Sequence, residues 1–322
     1  MDAVGALLLI ASLVLLIERQ SEAALLLAVL AIVVKPQEAI GLVIVLPVLV
    51  RRHLFLGGSR WRLLTSAFAG TAALMLPLVP FDIGGVAGLV HLFQSDADRY
   101  SVLTANAFNI WALVGSTPLA QIIGGSVVSW TADSLAVGGT TAFVFGAFAL
   151  ATVGIVVAGG LLLRDGRVPI LLGFAVVAFA FYAVPTRVHE RYLFPFFTAG
   201  ALLAAEFLVT SAGFVTVSVL NAVNLHAVLA APLSIFNPVG GFGRSSGLGV
   251  GRGGGGFGGI GAQILAIRLP FADLARSETV IVLVALGQTA AFFALLVVYI
   301  AVVLHPRRRF AVTRAEPAPS FA

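Results

Sequence analysis

The chain has no cysteine, which excludes a disulfide framework, a zinc ribbon, an iron–sulfur site and a thiol nucleophile. Charge is scarce as well: 10% of the 322 residues are Asp, Glu, Lys or Arg, against about 25% in soluble domains. With 60% apolar residues and a mean hydropathy of +1.07, a water-soluble globule is excluded. Basic residues outnumber acidic ones by 19 to 14. They are scattered between apolar runs rather than clustered, so nucleic acid is not the expected partner. No secretory leader is expected either, because Met1-Asp2 lacks a basic region and no small-residue cleavage site follows the first run. Basic residues set between apolar runs indicate an integral membrane protein.

Hydrocarbon ~30 Å thick takes about 20 apolar helical residues to cross. Runs near that length cover 63–80, 140–163, 168–185, 193–210, 214–232 and 279–304, with shorter ones at 3–17, 23–34 and 39–50. The expected fold is therefore all-α, a polytopic membrane helix bundle of about nine segments, some short or re-entrant. It divides into a transmembrane core over 1–232, a Gly-rich external loop over 233–278, a last membrane helix at 279–304 and a basic cytoplasmic tail at 305–322. If the N-terminus is outside and every run crosses, then Arg19, Arg51, Arg52, Arg60, Arg62, Arg164, Arg167, Arg307, Arg308, Arg309 and Arg314 lie inside. That majority of the 19 basic residues fits the positive-inside bias. The tract GGFGRSSGLGVGRGGGGFGG has no Lys-Ser/Thr ending and follows no strand, so it reads as a flexible loop and not a phosphate cradle.

Charge near hydrocarbon costs ~2.5–3.5 kcal/mol per residue on insertion scales, so its positions are informative. Lys35-Pro36-Gln37-Glu38 separates two short runs, and Pro36 prevents one continuous helix. The tip is either a functional site or a Lys–Glu pair closing a loop. Arg187, His189, Glu190, Arg191 and Tyr192 crowd the turn between two spans. If that turn is helical, Arg187 and Arg191 stand one turn apart with Glu190 beside them. Such a pair suits a phosphate or pyrophosphate held bidentately, or else forms an internal Arg–Glu–Arg pin. The external stretch 81–139 carries Asp82, His91, Asp96, Asp98, Arg99, Tyr100, Asn106 and Asn109 among apolar stretches suited to the interface. Asp96-Ala-Asp98 reads as a solvated loop. Glu206 falls deep in the run 193–210, as a protonated core carboxyl or a proton relay. Asn221, Asn224 and His226 follow on the outer half of the next run.

Three blocks carry a family resemblance: VKPQEAIGLVIVLPVL, TANAFNIWALVG and PTRVHERYLFPFF. In this order and spacing the chain resembles the multi-spanning GT-C glycosyltransferases, nearest to the bacterial branches by the protein mannosyltransferase-like family 39 and the DUF2029 family 87. The resemblance covers residues 1 to about 230, with HERYLFP its most specific block. It implies a prokaryotic cell-membrane enzyme that moves one sugar, mannose among the candidates, from a polyprenyl-phosphate donor to an acceptor hydroxyl outside, with inversion. Membrane lipid and the unidentified acceptor would be its partners. No cofactor is implied beyond that lipid-linked donor, no metal site is identified, and a divalent metal stays open. Arg187, Arg191 and Lys35 would hold the phosphate, with Glu190 and His189 orienting them. Gln37, Asn106, Asn109, Trp111 and Tyr192 would contact sugar or acceptor. The family's catalytic carboxylate sits in a first external loop. MDAVGALLLIAS matches the middle of its GQxD-plus-helix segment, so Asp2 corresponds to the GQxD aspartate and the catalytic loop would precede residue 1. On that basis the fragment would be inactive or impaired. The alternatives are a transporter or flippase-like carrier built on intramembrane charge, and a non-catalytic membrane scaffold.

Overall fold

The computed structural model describes residues 2–75, 85–97, 101–114, 131–206, 208–229 and 270–305. Asp82, Asp98, Arg99, Tyr100, the Gly-rich tract and the tail from residue 306 lie outside these residues, as do the side chains of Asp2 and Asp96. Helix accounts for 81% of the described residues, and their strand content is a single two-residue hairpin, so the class is all-α. The helices are α1 (Asp2–Ile17), α2 (Ser21–Val34), α3 (Leu42–Val50), α4 (Arg60–Met75), α5 (Gly85–Ala97) and α6 (Ala142–Leu163). They continue with α7 (Arg167–Ala183), α8 (Phe194–Glu206), α9 (Leu208–Leu229) and α10 (Glu278–Leu304). Among the described residues three stretches, Ala142–Leu163, Thr210–Leu229 and Glu278–Leu304, are long and apolar enough to cross a membrane. Shorter apolar helices cover Ala3–Ile17, Ser21–Val34 and Arg167–Ala183.

The helix α7 is apolar all round and fully buried from Ile170 to Ala180, as expected of a helix enclosed by others. The pairing of α1 with α2 is a seam of large on small: Leu9, Leu13 and Leu16 are buried, as are Ala24, Ala28 and Ala31. Both triplets recur at helical spacing, so the alanines let the two backbones approach, and Ser12 Oγ donates to the Ala24 carbonyl at 2.6 Å. Gly160 leaves the space that Tyr299 fills, and the Tyr299 hydroxyl donates to the Val157 carbonyl at 2.7 Å. Large apolar side chains point outward, among them Phe68, Phe148 and Ile155. Water would penalise that arrangement, and hydrocarbon does not.

Polar side chains gather at two opposite ends. At one end Asp165 receives Arg51 Nε at 3.0 Å and Arg52 Nε at 2.5 Å, while Arg62 pairs with Glu22 at 2.9 Å. Burial alone would raise the Asp165 carboxyl; the hydrogen bonds and charge of Arg52 and Arg51 outweigh it and hold the group below the usual carboxylate value. Arg167 pairs with Glu206 at 2.5 Å at the same end. This corrects the expected position of Glu206, which closes α8 and does not lie deep in a longer helix. The run 193–210 turns because α8 stops at Glu206. Thr210 and Ser211 then donate to the Leu203 and Ala204 carbonyls, satisfying acceptors that a helix C-terminus leaves open.

Candidate functional site

The opposite end carries the sequence blocks singled out above. The Lys35 tip is a six-residue 3-10 turn, Pro36–Gly41. Ser21 opens α2 and a π-helical turn at Arg51–Phe55 prolongs α3, so both arms are longer than their apolar runs. The turn after α7 bends through 184–187 and is not helical up to His189, and a short 3-10 turn, Glu190–Leu193, follows. Arg187 takes a φ of +65°, a left-handed backbone that no right-handed helix contains. Arg187 and Arg191 therefore do not share one helical face.

Segment 101–106 lies along the turn. Arg187 N donates to the Val102 carbonyl at 3.0 Å and Ala105 N to the Val188 carbonyl at 2.9 Å, while Ala105 and Asn106 both bridge to His189. Asn109 Nδ2 donates to the Tyr182 carbonyl at 3.0 Å and Trp111 Nε1 to the Val184 carbonyl at 2.6 Å. The NAFNIW block thus caps the C-terminus of α7, and the side-chain nitrogens of both residues are committed to main chain. Asn106, at φ +70°, offers its carbonyl to Asn224 Nδ2 at 2.8 Å. Asn224 Oδ1 in turn accepts from Tyr182 Oη at 2.9 Å, which ties α9 to the cap. Asn221 is also buried, its Oδ1 without a partner, and His226 Nε2 lies 2.7 Å from the Pro270 carbonyl.

The first and third blocks meet at Tyr192. Lys35 Nζ lies 5.5 Å from its ring centre, His189 stands edge-on at 5.5 Å and Phe181 stacks at 5.8 Å. Arg191 is exposed. Glu190 Oε2 is buried without a hydrogen-bond partner; burial pushes this carboxyl above its ordinary value, against its own backbone N–H and the Arg191 charge. Gln37 Oε1 and Thr186 Oγ1 are likewise buried and unpartnered. Such atoms are rare in folded proteins and call for an explanation each. Here three oxygens come from two adjoining turns. They could accept hydrogen bonds from a hydroxyl-rich ligand.

Sequence reasoning missed Asp133. Its Oδ2 receives Arg187 Nε at 2.6 Å, and the Arg187 guanidinium lies 4.3 Å from the Phe143 ring centre. The available signal was the Gly138-Gly139 pair, both at positive φ, which turns the hairpin of Ala136–Val137 and Thr140–Thr141 in the way Gly-Gly pairs favour. That turn folds Asp133 back beside α6. Of Asp2 only the backbone is described, at the start of α1. Among the described residues no group of three or more His, Asp or Glu is placed to hold a metal ion. No family model matches the chain, and no curated protein or solved structure matches it.

Proposed function

We propose that this chain is the membrane core of a glycosyltransferase that takes one sugar from a polyprenyl-phosphate carrier to an acceptor hydroxyl on the outer face. The observation that carries the reading is the set of unpartnered buried oxygens of Gln37, Thr186 and Glu190 beside the Lys35–Tyr192 contact. In this reading the bundle makes nine membrane passages, and the Lys35 end faces outward. Lys35, Arg187 and Arg191 supply charge for the phosphate, with Arg187 also paired to Asp133. Transfer breaks the bond between the sugar's anomeric carbon and the phosphate oxygen, whose electron pair stays with the departing polyprenyl phosphate. The acceptor oxygen bonds to that carbon and gives its proton to a carboxylate. Fixed cations in a dry site favour the growing phosphate charge. The carrier alternative leaned on an intramembrane Glu206, and the Arg167 pairing at the helix end removes that support.

The test is binding of a radiolabelled polyprenyl-phosphate mannose to the full chain in detergent. The expected result is saturable binding that Lys35→Ala and Arg191→Ala together abolish. A well-folded wild-type chain that binds no such lipid overturns the reading.

A further inference from the structure

We infer that Asp133 is an internal stand-in for phosphate on Arg187, and that a phosphate entering the site displaces it; this rests on the lipid-phosphate reading above. Arg187 and Asp133 are largely shielded, with side chains 18% and 7% exposed, and Arg187 Nε donates to Asp133 Oδ2 at 2.6 Å. Main chain fixes both partners on neighbouring segments. Asp133 N donates to the Ser101 carbonyl at 3.3 Å, Phe143 N donates to the Asp133 carbonyl at 3.1 Å, and Arg187 N donates to Val102. The Phe143 face at 4.3 Å orients the guanidinium plane.

Two features separate this pair from the ion pairs at the other end. Asp165 is shared by two arginines, whose guanidiniums are also bonded to the Leu162 and Leu16 carbonyls; that is a pin between helices. Arg187 instead sits on a backbone in the left-handed region, a conformation that costs a non-glycine residue about 1–3 kcal/mol and gathers at functional sites. It is also four residues from Arg191, in the turn that holds Glu190 and Tyr192. A guanidinium binds carboxylate and phosphate through the same N–H donors, so a phosphate can take the Nε donor that Asp133 Oδ2 accepts from. Both anions together beside one cation would repel. The exchange is either/or, and Asp133 lowers the affinity of the resting site for phosphate.

The experiment measures binding of farnesyl phosphate, and separately of inorganic phosphate, to the full chain in a neutral detergent. Asp133→Asn keeps the shape and removes the competing charge. Farnesyl phosphate should then bind about tenfold more tightly than to wild type, within the range usual for coupling between two ligands of one site, and Arg187→Ala should abolish that gain in the double variant. A gain for farnesyl phosphate alone identifies a lipid phosphate as the displacing group; an equal gain for inorganic phosphate identifies a free one. Unchanged or weaker binding by folded Asp133→Asn makes Asp133 a structural pin and overturns the inference. A gain that survives Arg187→Ala overturns it as well. If neither wild type nor variant binds either probe, the lipid-phosphate reading itself fails. Should Asp133→Asn not fold, Asp133→Ser carries the same expectations.

Discussion

Lys35 Nζ stands 5.5 Å from the centre of the Tyr192 ring, so a turn near the start of the chain and one past its middle share a single cation. A cation on an aromatic face is worth about 0.5–2 kcal/mol, which holds the ammonium at the mouth of the proposed site. Lys35→Ala should weaken farnesyl phosphate binding about tenfold, the equivalent of ~1.4 kcal/mol, and Tyr192→Leu should weaken it less, by releasing the ammonium. Titration of both variants checks this; full affinity in Lys35→Ala would remove the residue from the site.

Asn109 divides two readings by a stability measurement. Its Nδ2 bonds the Tyr182 carbonyl and its Oδ1 accepts from Trp111 N at 3.1 Å. Asn109→Ala orphans both partners inside the cap and should cost about 1–3 kcal/mol, seen as a lower melting temperature in detergent. An Asn109→Ala protein that melts like wild type yet loses ligand would make the residue a sugar contact instead.

Glu190 gives a pH dependence of known sign. Its ordinary value is near 4.5 and burial raises the folded value. Between the two, the native protein keeps a proton that the unfolded chain has released. The contribution is therefore complete below pH 4.5 and is lost as pH rises through the folded value. Melting temperatures taken from pH 4.5 upward should fall in wild type and flatten in Glu190→Gln. Parallel profiles would contradict the assignment.

At the other end, Asp165→Ala leaves Arg51 and Arg52 without their shared carboxylate. Removing one partner of a mostly buried ion pair costs about 3 kcal/mol, so this variant should be among the least stable single changes. Recovery of folded protein after extraction, compared with Arg60→Ala as an exposed control, is the measurement.

Because the chain has no cysteine, one introduced thiol is an unambiguous reporter of sidedness. Ser134→Cys, beside the hairpin, should react with an impermeant maleimide on intact cells. Ser59→Cys, before α4, should react only after disruption. Labelling of both from one side would break the nine-passage arrangement.

The Lys35 turn and the Tyr192 turn were each legible because charge is costly in an apolar chain and needs a reason to be there; that they meet was implied only by the resemblance. Other features were hidden for physical reasons. Hydropathy cannot tell a lipid-facing helix from α7, since hydrocarbon and packed side chains are equally apolar. The turn at Glu206 was invisible in an unbroken apolar run, although Thr210 and Ser211 were the residues able to close it. The attractive Arg187–Arg191 spacing assumed a helix, and the left-handed backbone at Arg187, which residue type does not announce, breaks it. Asp133 could not be paired with Arg187 from spacing at all, because only the hairpin brings them together.

The cap that ties 102–106 to 187–189, with Asn224 bonded to Asn106, also sets an order of assembly. A ribosome releases Asn106 long before His189, and His189 before Asn224. The Lys35 end therefore cannot close until α9 has been synthesised and inserted. Helices made early wait with their polar turns unmatched, and a nascent chain arrested before α9 carries an open, unfinished site that membrane proteases and chaperones can recognise.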